Sequence, residues 1–134
     1  MTVTSQLIES SPVPLQFDAA KVAACIDACS ECASACLICA DACMAEPDLP
    51  DLLGCIRLDN DCADICATTG RLVSRQYAID PALLQAMVQT CISATKLCAD
   101  ECESHGGMHE HCRLCAEACR RCETACRELL AAII

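Results

Sequence analysis

Four stretches of this chain repeat their apolar and small positions at steps of three and four residues, the period of an amphipathic helix. In each stretch the repeat falls on cysteine. The first, CIDACSECASACLICADAC, places Cys25, Cys29, Cys32, Cys36, Cys39 and Cys43 on every a and d position of a heptad. Asp27, Glu31, Ser34 and Asp41 lie on its other faces. The last stretch does the same with Cys112, Cys115, Cys119, Cys122 and Cys126. Between them lie two matching triplets, Cys55, Cys62, Cys66 and Cys91, Cys98, Cys102, each spaced seven then four. All 17 cysteines therefore fit a/d seams, which point into the core of a bundle.

Punctuation between the stretches sets the elements. Asp18 is an N-cap for a first long helix running to about Ala45, and the two prolines of Glu46–Pro50 stop it. A second helix runs from about Asp51 to Arg75, with Gly70 able to end it early. Asp80 before Pro81 starts a third, an N-cap followed by proline at the first helical position, and this helix reaches about Ser104. Gly106 and Gly107 break the chain, and a fourth helix runs from Met108 or His109 to about Ala132. Four long helices with short connections predict an all-α, antiparallel up-down-up-down four-helix bundle. Residues 1–17, with Pro12 and Pro14, read as an N-terminal arm or tail with room for a short helix around Leu7 and Ile8; residues 18–134 form the single bundle domain.

Antiparallel pairing predicts the levels of the core. Cys43 falls level with Cys55, Cys102 and Cys112, and Cys39 with Asp59, Cys98 and Cys115. Cys36 faces Cys62, Thr95 and Cys119, and Cys32 faces Cys66, Cys91 and Cys122. Cys29 then meets Thr69, Val88 and Cys126, and Cys25 meets Val73, Leu84 and Leu129. That last end is apolar and closes the bundle. The opposite end gathers Met44, His105, Met108, His109 and His111, soft and borderline ligands at the mouth of a thiol-lined interior, the pattern of a metal entrance. Asp59 takes an a position in the seam. A buried carboxylate is costly unless paired or metal-bound, so Asp59 is either exposed by local splaying of the bundle or, as the favoured expectation, a ligand or a ligand's hydrogen-bond partner. Thr69 and Thr95 are expected as small core residues.

Composition narrows the class. The chain is 54% hydrophobic but only 1% aromatic, so small and aliphatic side chains and thiols must build the core. A formal charge of -10 argues against nucleic acid or an anionic membrane as partner. The N-terminus has no basic region followed by an apolar run, and no stretch reads as a membrane span of about 20 apolar residues. A cytoplasmic location follows as the expectation, and there dense cysteine serves metal more often than disulfides. Two thiols at i and i+4, about 6 Å apart on one helix face, suit one ion held between two sulfurs, which Cu(I) accepts. Bridging sulfurs then allow many Cu(I) ions per chain, up to about one per thiolate, with charges nearly cancelling. Zinc, which wants closed tetrahedra, and iron–sulfur clusters, which favour loop spacings, fit an unbroken helical stripe less well.

The CxxxCxxCxxxCxxCxxxC run of the first helix, the CxxCxxxCxxCxxxC run of the last and HGGMHEHC between the third and fourth resemble the bacterial copper storage proteins. The lack of a signal peptide points to their cytosolic branch. The resemblance covers about Cys25 to Cys126. It implies a homotetramer of cysteine-lined bundles, a mouth where copper enters, and roles there for Asp59, His105, His109 and His111. The expected function is a Cu(I) store or buffer without catalysis, its copper donor and acceptor proteins unknown. Rival expectations are a thiol redox enzyme or oxidant sink, a disulfide-linked helical oligomer, a chaperone or sensor, and metallothionein-like zinc or cadmium sequestration. C-x-x-C pairs exist, but they are mid-helix and not at a helix N-terminus beside a strand.

Overall fold

A computed structural model describes residues 2–133. Its helices are α1 (Val3–Ser10), α2 (Ala19–Met44), α3 (Leu53–Val73), α4 (Pro81–His105) and α5 (Glu110–Ile133). A 3-10 turn, Leu49–Leu52, leads into α3. The start signals act as the sequence predicts. Asp18 Oδ1 accepts from Lys21 N–H at 3.0 Å, and Asp80 Oδ1 accepts from Leu83 N–H at 2.9 Å ahead of Pro81. Pro50 converts the expected first turn of the second long helix into 3-10 geometry, so α3 begins two residues after Asp51. The last long helix begins at Glu110, just past the expected start.

Helices α2 to α5 form a closed square: α2 packs on α3 and α5, and α4 packs on α3 and α5. Short connections between consecutive helices make neighbours antiparallel. Gly70 does not break α3, which continues to Val73. A Cβ on Gly70 would lie 3.3 Å from Cys29 Cβ, so its missing side chain lets α2 and α3 close together beside the thiol seam. Helix α1 lies against α2, where Thr4 Oγ1 donates to Asp27 Oδ1 at 2.6 Å, and Ile8 and Phe17 pack on the core. The N-terminal segment is thus a docked helix and its linker, more ordered than a tail.

By length and composition alone, α2 is apolar enough to cross a membrane, contrary to the sequence-based expectation. The reason is that its seam of six cysteines and its many alanines count as apolar. In the bundle that seam is buried by three other helices, while Asp27, Glu31 and Asp41 remain on α2's outer faces. Ion pairs tie the outside together. Arg120 reaches Asp100 and Glu103 of α4, and Arg121 reaches Glu31 of α2. Such exposed pairs each add about 0–1 kcal/mol, so the core carries the fold.

A candidate metal centre along the bundle axis

Every one of the 17 cysteines is a free, buried thiol. Together their sulfurs form a continuous column. Near the bottom, Cys25 Sγ lies 3.8 Å from Cys126, and Cys29 lies 3.7 Å from Cys122. Cys66 stands 3.8 Å from Cys91 and 3.9 Å from Cys122. In the middle, Cys32 approaches Cys119 (3.6 Å) and Cys62 (3.8 Å), and Cys36 approaches Cys119 (3.7 Å), Cys115 (3.8 Å) and Cys98 (3.9 Å). Higher up, Cys55 and Cys102 are 3.5 Å apart, and Cys112 lies 3.9 Å from both Cys39 and Cys43. Below Cys25 the column stops at Val22, Val73, Leu84 and Leu129, all with no exposed surface.

These contacts revise the expected levels by about half a step. Cys36 reaches up to Cys98 and Cys115 as well as across to Cys119, and Cys29 groups with Cys91, Cys122 and Cys126. Seam residues of adjacent helices interlock, each knob sitting between two of its neighbour's, so flat layers do not form. The consequence is chemical. Cys36 and Cys119 belong both to the group Cys32, Cys36, Cys62, Cys119 and to the group Cys36, Cys98, Cys115, Cys119. In each group the ligand atoms all lie within 4.8 Å of one another. Shared sulfurs are what a chain of bridged ions requires. Thr69 and Thr95 stand in the stripe as small core residues whose hydroxyls donate to carbonyls of their own helices.

Asp59 is fully buried and accepts from thiols on three helices: Cys98 at 3.2 Å, Cys115 at 3.3 Å, Cys102 at 3.4 Å and Cys55 at 3.7 Å. Burial in the thiol-lined core raises its pKa to about 8. Because the folded-state value lies above the ordinary one, this carboxyl favours folding most below pH 4. That contribution is lost as pH rises from about 4 to about 8. His109, also raised, adds a loss of the same sign from its ordinary value upward. The melting temperature of the metal-free protein is therefore expected to fall between pH 5 and pH 8, and Asp59→Asn to flatten most of that slope. Thermal melts monitored by circular dichroism across this range test it, and parallel curves for the two proteins would contradict it.

The thiols nearest the histidine end resist ionisation. Burial pushes Cys43 up to about 11 and also raises Cys112. A metal-free core of thiols is neutral, so it tolerates burial. A core of bare thiolates would not, and each proton must leave as a cation arrives.

The mouth joins two loops. His111 Nδ1 lies 3.5 Å from Cys39 Sγ and 3.6 Å from Cys112 Sγ, and its Nε2 lies 3.1 Å from Glu46 Oε2. His111 groups with Cys39, Cys43 and Cys112 as potential ligands to one ion. His109 has Nδ1 at Glu46 and Nε2 2.9 Å from Asp48 Oδ2, and the Asp48 bond raises its pKa. The two imidazole rings stack with centroids 5.4 Å apart. His105 points elsewhere: Nε2 lies 3.2 Å from Glu101, one turn back on α4, its sole side-chain hydrogen bond among the described residues. Met44 and Met108 do not close over the outermost thiols but are 59% and 79% exposed, Met44 lining an outer groove with Ile56 and Asn60. In the sequence, Glu46 and Asp48 belong to a turn that stops the first long helix. Their signal was acidity at the same end of the bundle as all three histidines.

The family model for copper storage proteins matches residues 18–131, nearly the whole bundle. The chain belongs to the copper storage protein family. Its structure is similar to that of the cytosolic copper storage protein Ccsp from Streptomyces lividans loaded with 10 copper equivalents. The two share 48% identity and a TM-score of 0.94, over 97% of this chain and 99% of that one. The Cu(I)-bound copper storage protein BsCsp3 is 35% identical with a TM-score of 0.73, over 82% of this chain and 98% of that one. The cysteine-rich protein YhjQ of Bacillus subtilis (strain 168) is 39% identical over 95 residues, 71% of this chain and 82% of its own length. The buried thiol column thus lies in a member of a family of copper storage proteins.

Proposed function

We propose that this copper storage family member is a cytoplasmic Cu(I) store and buffer, that it is not an enzyme, and that its ligands are the 17 core cysteines. The sharing of sulfurs along the column carries this reading. Cys36 and Cys119 each stand in two four-sulfur groups, an arrangement made for runs of bridged ions and wasteful for isolated ones. Asp59 serves as hydrogen-bond partner or ligand near the top, exchanging its thiol contacts as copper displaces their protons. A redox enzyme needs a reachable low-pKa thiol, and burial of every cysteine speaks against one. The cytoplasmic assignment follows the cytosolic Streptomyces lividans relative. The acidic charge of -10 disfavours nucleic acid and anionic membranes as partners. The exposed apolar side chains of Leu37, Ile38, Met44 and Leu53 support assembly into a homotetramer of bundles.

Copper enters, in this reading, between His109 and His111, with His105 at the rim. The opposite end is sealed by aliphatic side chains that offer no ligand. Replacing His109 and His111 together by Ala is expected to slow Cu(I) uptake by about tenfold, the usual range for losing groups around a metal path, with little loss of total capacity. Stopped-flow mixing with a chromophoric Cu(I) donor measures both. An unchanged rate would remove the histidines from the loading route.

A further inference from the structure

We propose that Glu46 is a positioning residue for copper loading: its carboxylate holds the Nε2 proton of His111 and leaves the Nδ1 lone pair facing the outermost thiols. A neutral imidazole carries one proton, and the partner of each nitrogen decides where it sits. At Nε2 of His111 the partner is Glu46 Oε2, 3.1 Å away. An ionised carboxylate can only accept, so a lone pair at Nε2 would face another lone pair. The proton therefore sits on Nε2. Nδ1 is then free at 3.5 Å from Cys39 Sγ and 3.6 Å from Cys112 Sγ. There it can take a soft cation together with those sulfurs. A carboxylate that fixes the tautomer and orientation of a ligating imidazole is a general device around metals.

The rest of the clamp holds Glu46 in turn. The same Oε2 meets Nδ1 of His109, whose Nε2 is fixed 2.9 Å from Asp48. Stacking of the two rings at 5.4 Å restricts how far either can turn. Glu46 and Asp48 sit between α2 and the 3-10 turn, whereas His111 belongs to the first turn of α5, 65 residues further along the chain than Glu46. One loop thus aims the ligand that the other supplies. The role rests on the histidine end being the loading end.

Two-bond ¹⁵N–¹H correlation spectra of the metal-free protein, at a pH where His111 is neutral, read its tautomer directly. A single Nε2–H form is expected. Glu46→Ala should mix the tautomers and slow Cu(I) uptake by about tenfold, with helix content and total capacity unchanged. Glu46→Gln, whose amide oxygen still accepts, should restore most of both. Glu46→Ala added to the double variant His109→Ala, His111→Ala should bring no further slowing, because Glu46 acts through those two rings. An Nδ1–H tautomer in the unmodified protein would overturn the proposal. So would a Glu46→Ala variant with unchanged tautomer and rate. Should His111→Ala itself load at the original rate while the Nε2–H form is seen, the loading end has been misplaced, and only the orientation of the ring by Glu46 survives.

Discussion

Anaerobic titration of the fully reduced protein with Cu(I), against a competing chromophoric chelator, is expected to show tight uptake continuing until copper approaches the 17 thiols. The physical reason is neutrality. A buried column of thiols is least costly when uncharged, and exchanging each proton for one monovalent cation keeps it so. Release of about one proton per thiolate should therefore accompany loading, measurable with a pH indicator in weak buffer. Bridging gives the mutational test. Cys36 and Cys119 each belong to two four-sulfur groups, so replacing both by Ser, a hard oxygen donor that Cu(I) accepts poorly, should remove more than about two ions from the total. A loss confined to two would mean that ions sit in independent sites. Uptake of only one or two ions by the unmodified protein would indicate a carrier or sensor, and Zn(II) displacing Cu(I) stoichiometrically would favour a metallothionein-like sink.

Truncating the apolar floor of the bundle should separate stability from capacity. Leu129 is fully buried with Leu84, Val73 and Val22 beneath the last sulfurs. Leu129→Ala removes buried methyl groups where four helices converge. Such a change is expected to cost about 2–5 kcal/mol, a fall of the order of 10 °C in the melting temperature of the metal-free protein. Copper capacity should stay the same, because no ligand changes. The experiment also checks that the empty bundle folds on its own. Cooperative unfolding of the metal-free protein, followed by far-ultraviolet circular dichroism, is the expected behaviour; a random coil would mean that metal builds the fold. Loading should then restore much of the lost stability, since ions that bind only the folded chain stabilise it by mass action.

Most of the site could be read in one dimension. A step of three and four residues fixes which face of a helix a side chain occupies, whatever that helix later packs against. Hence the assignment of all 17 cysteines to the interior, of Asp59 to the seam and of Val73, Leu84 and Leu129 to the closed end follows from spacing alone, and burial in the structure agrees. Asp18, Asp80 and Pro81 mark helix starts for equally local reasons: a side-chain oxygen bonding a backbone N–H three residues on, and a ring that fits the first turn.

What spacing could not set is how helices slide past one another and which loops meet. The half-step interlock that places Cys36 between Cys115 and Cys119 depends on packing between α2 and α5, far apart in sequence. That interlock decides which sulfurs are shared. His105, His109 and His111 look equivalent in HGGMHEH. Only the close of α5 against the turn after α2 gives His111 the thiols and His109 the two carboxylates, and leaves His105 with Glu101 on its own helix. Met44, one residue beyond the seam position of Cys43, turns outward because a helix advances about 100° per residue. The thiol lining of the core and its apolar floor were thus legible in the chain, because both depend on local periodicity. Which sulfurs stand close to one another, and how the histidine end is held, depend instead on contacts between segments that only the folded bundle brings together.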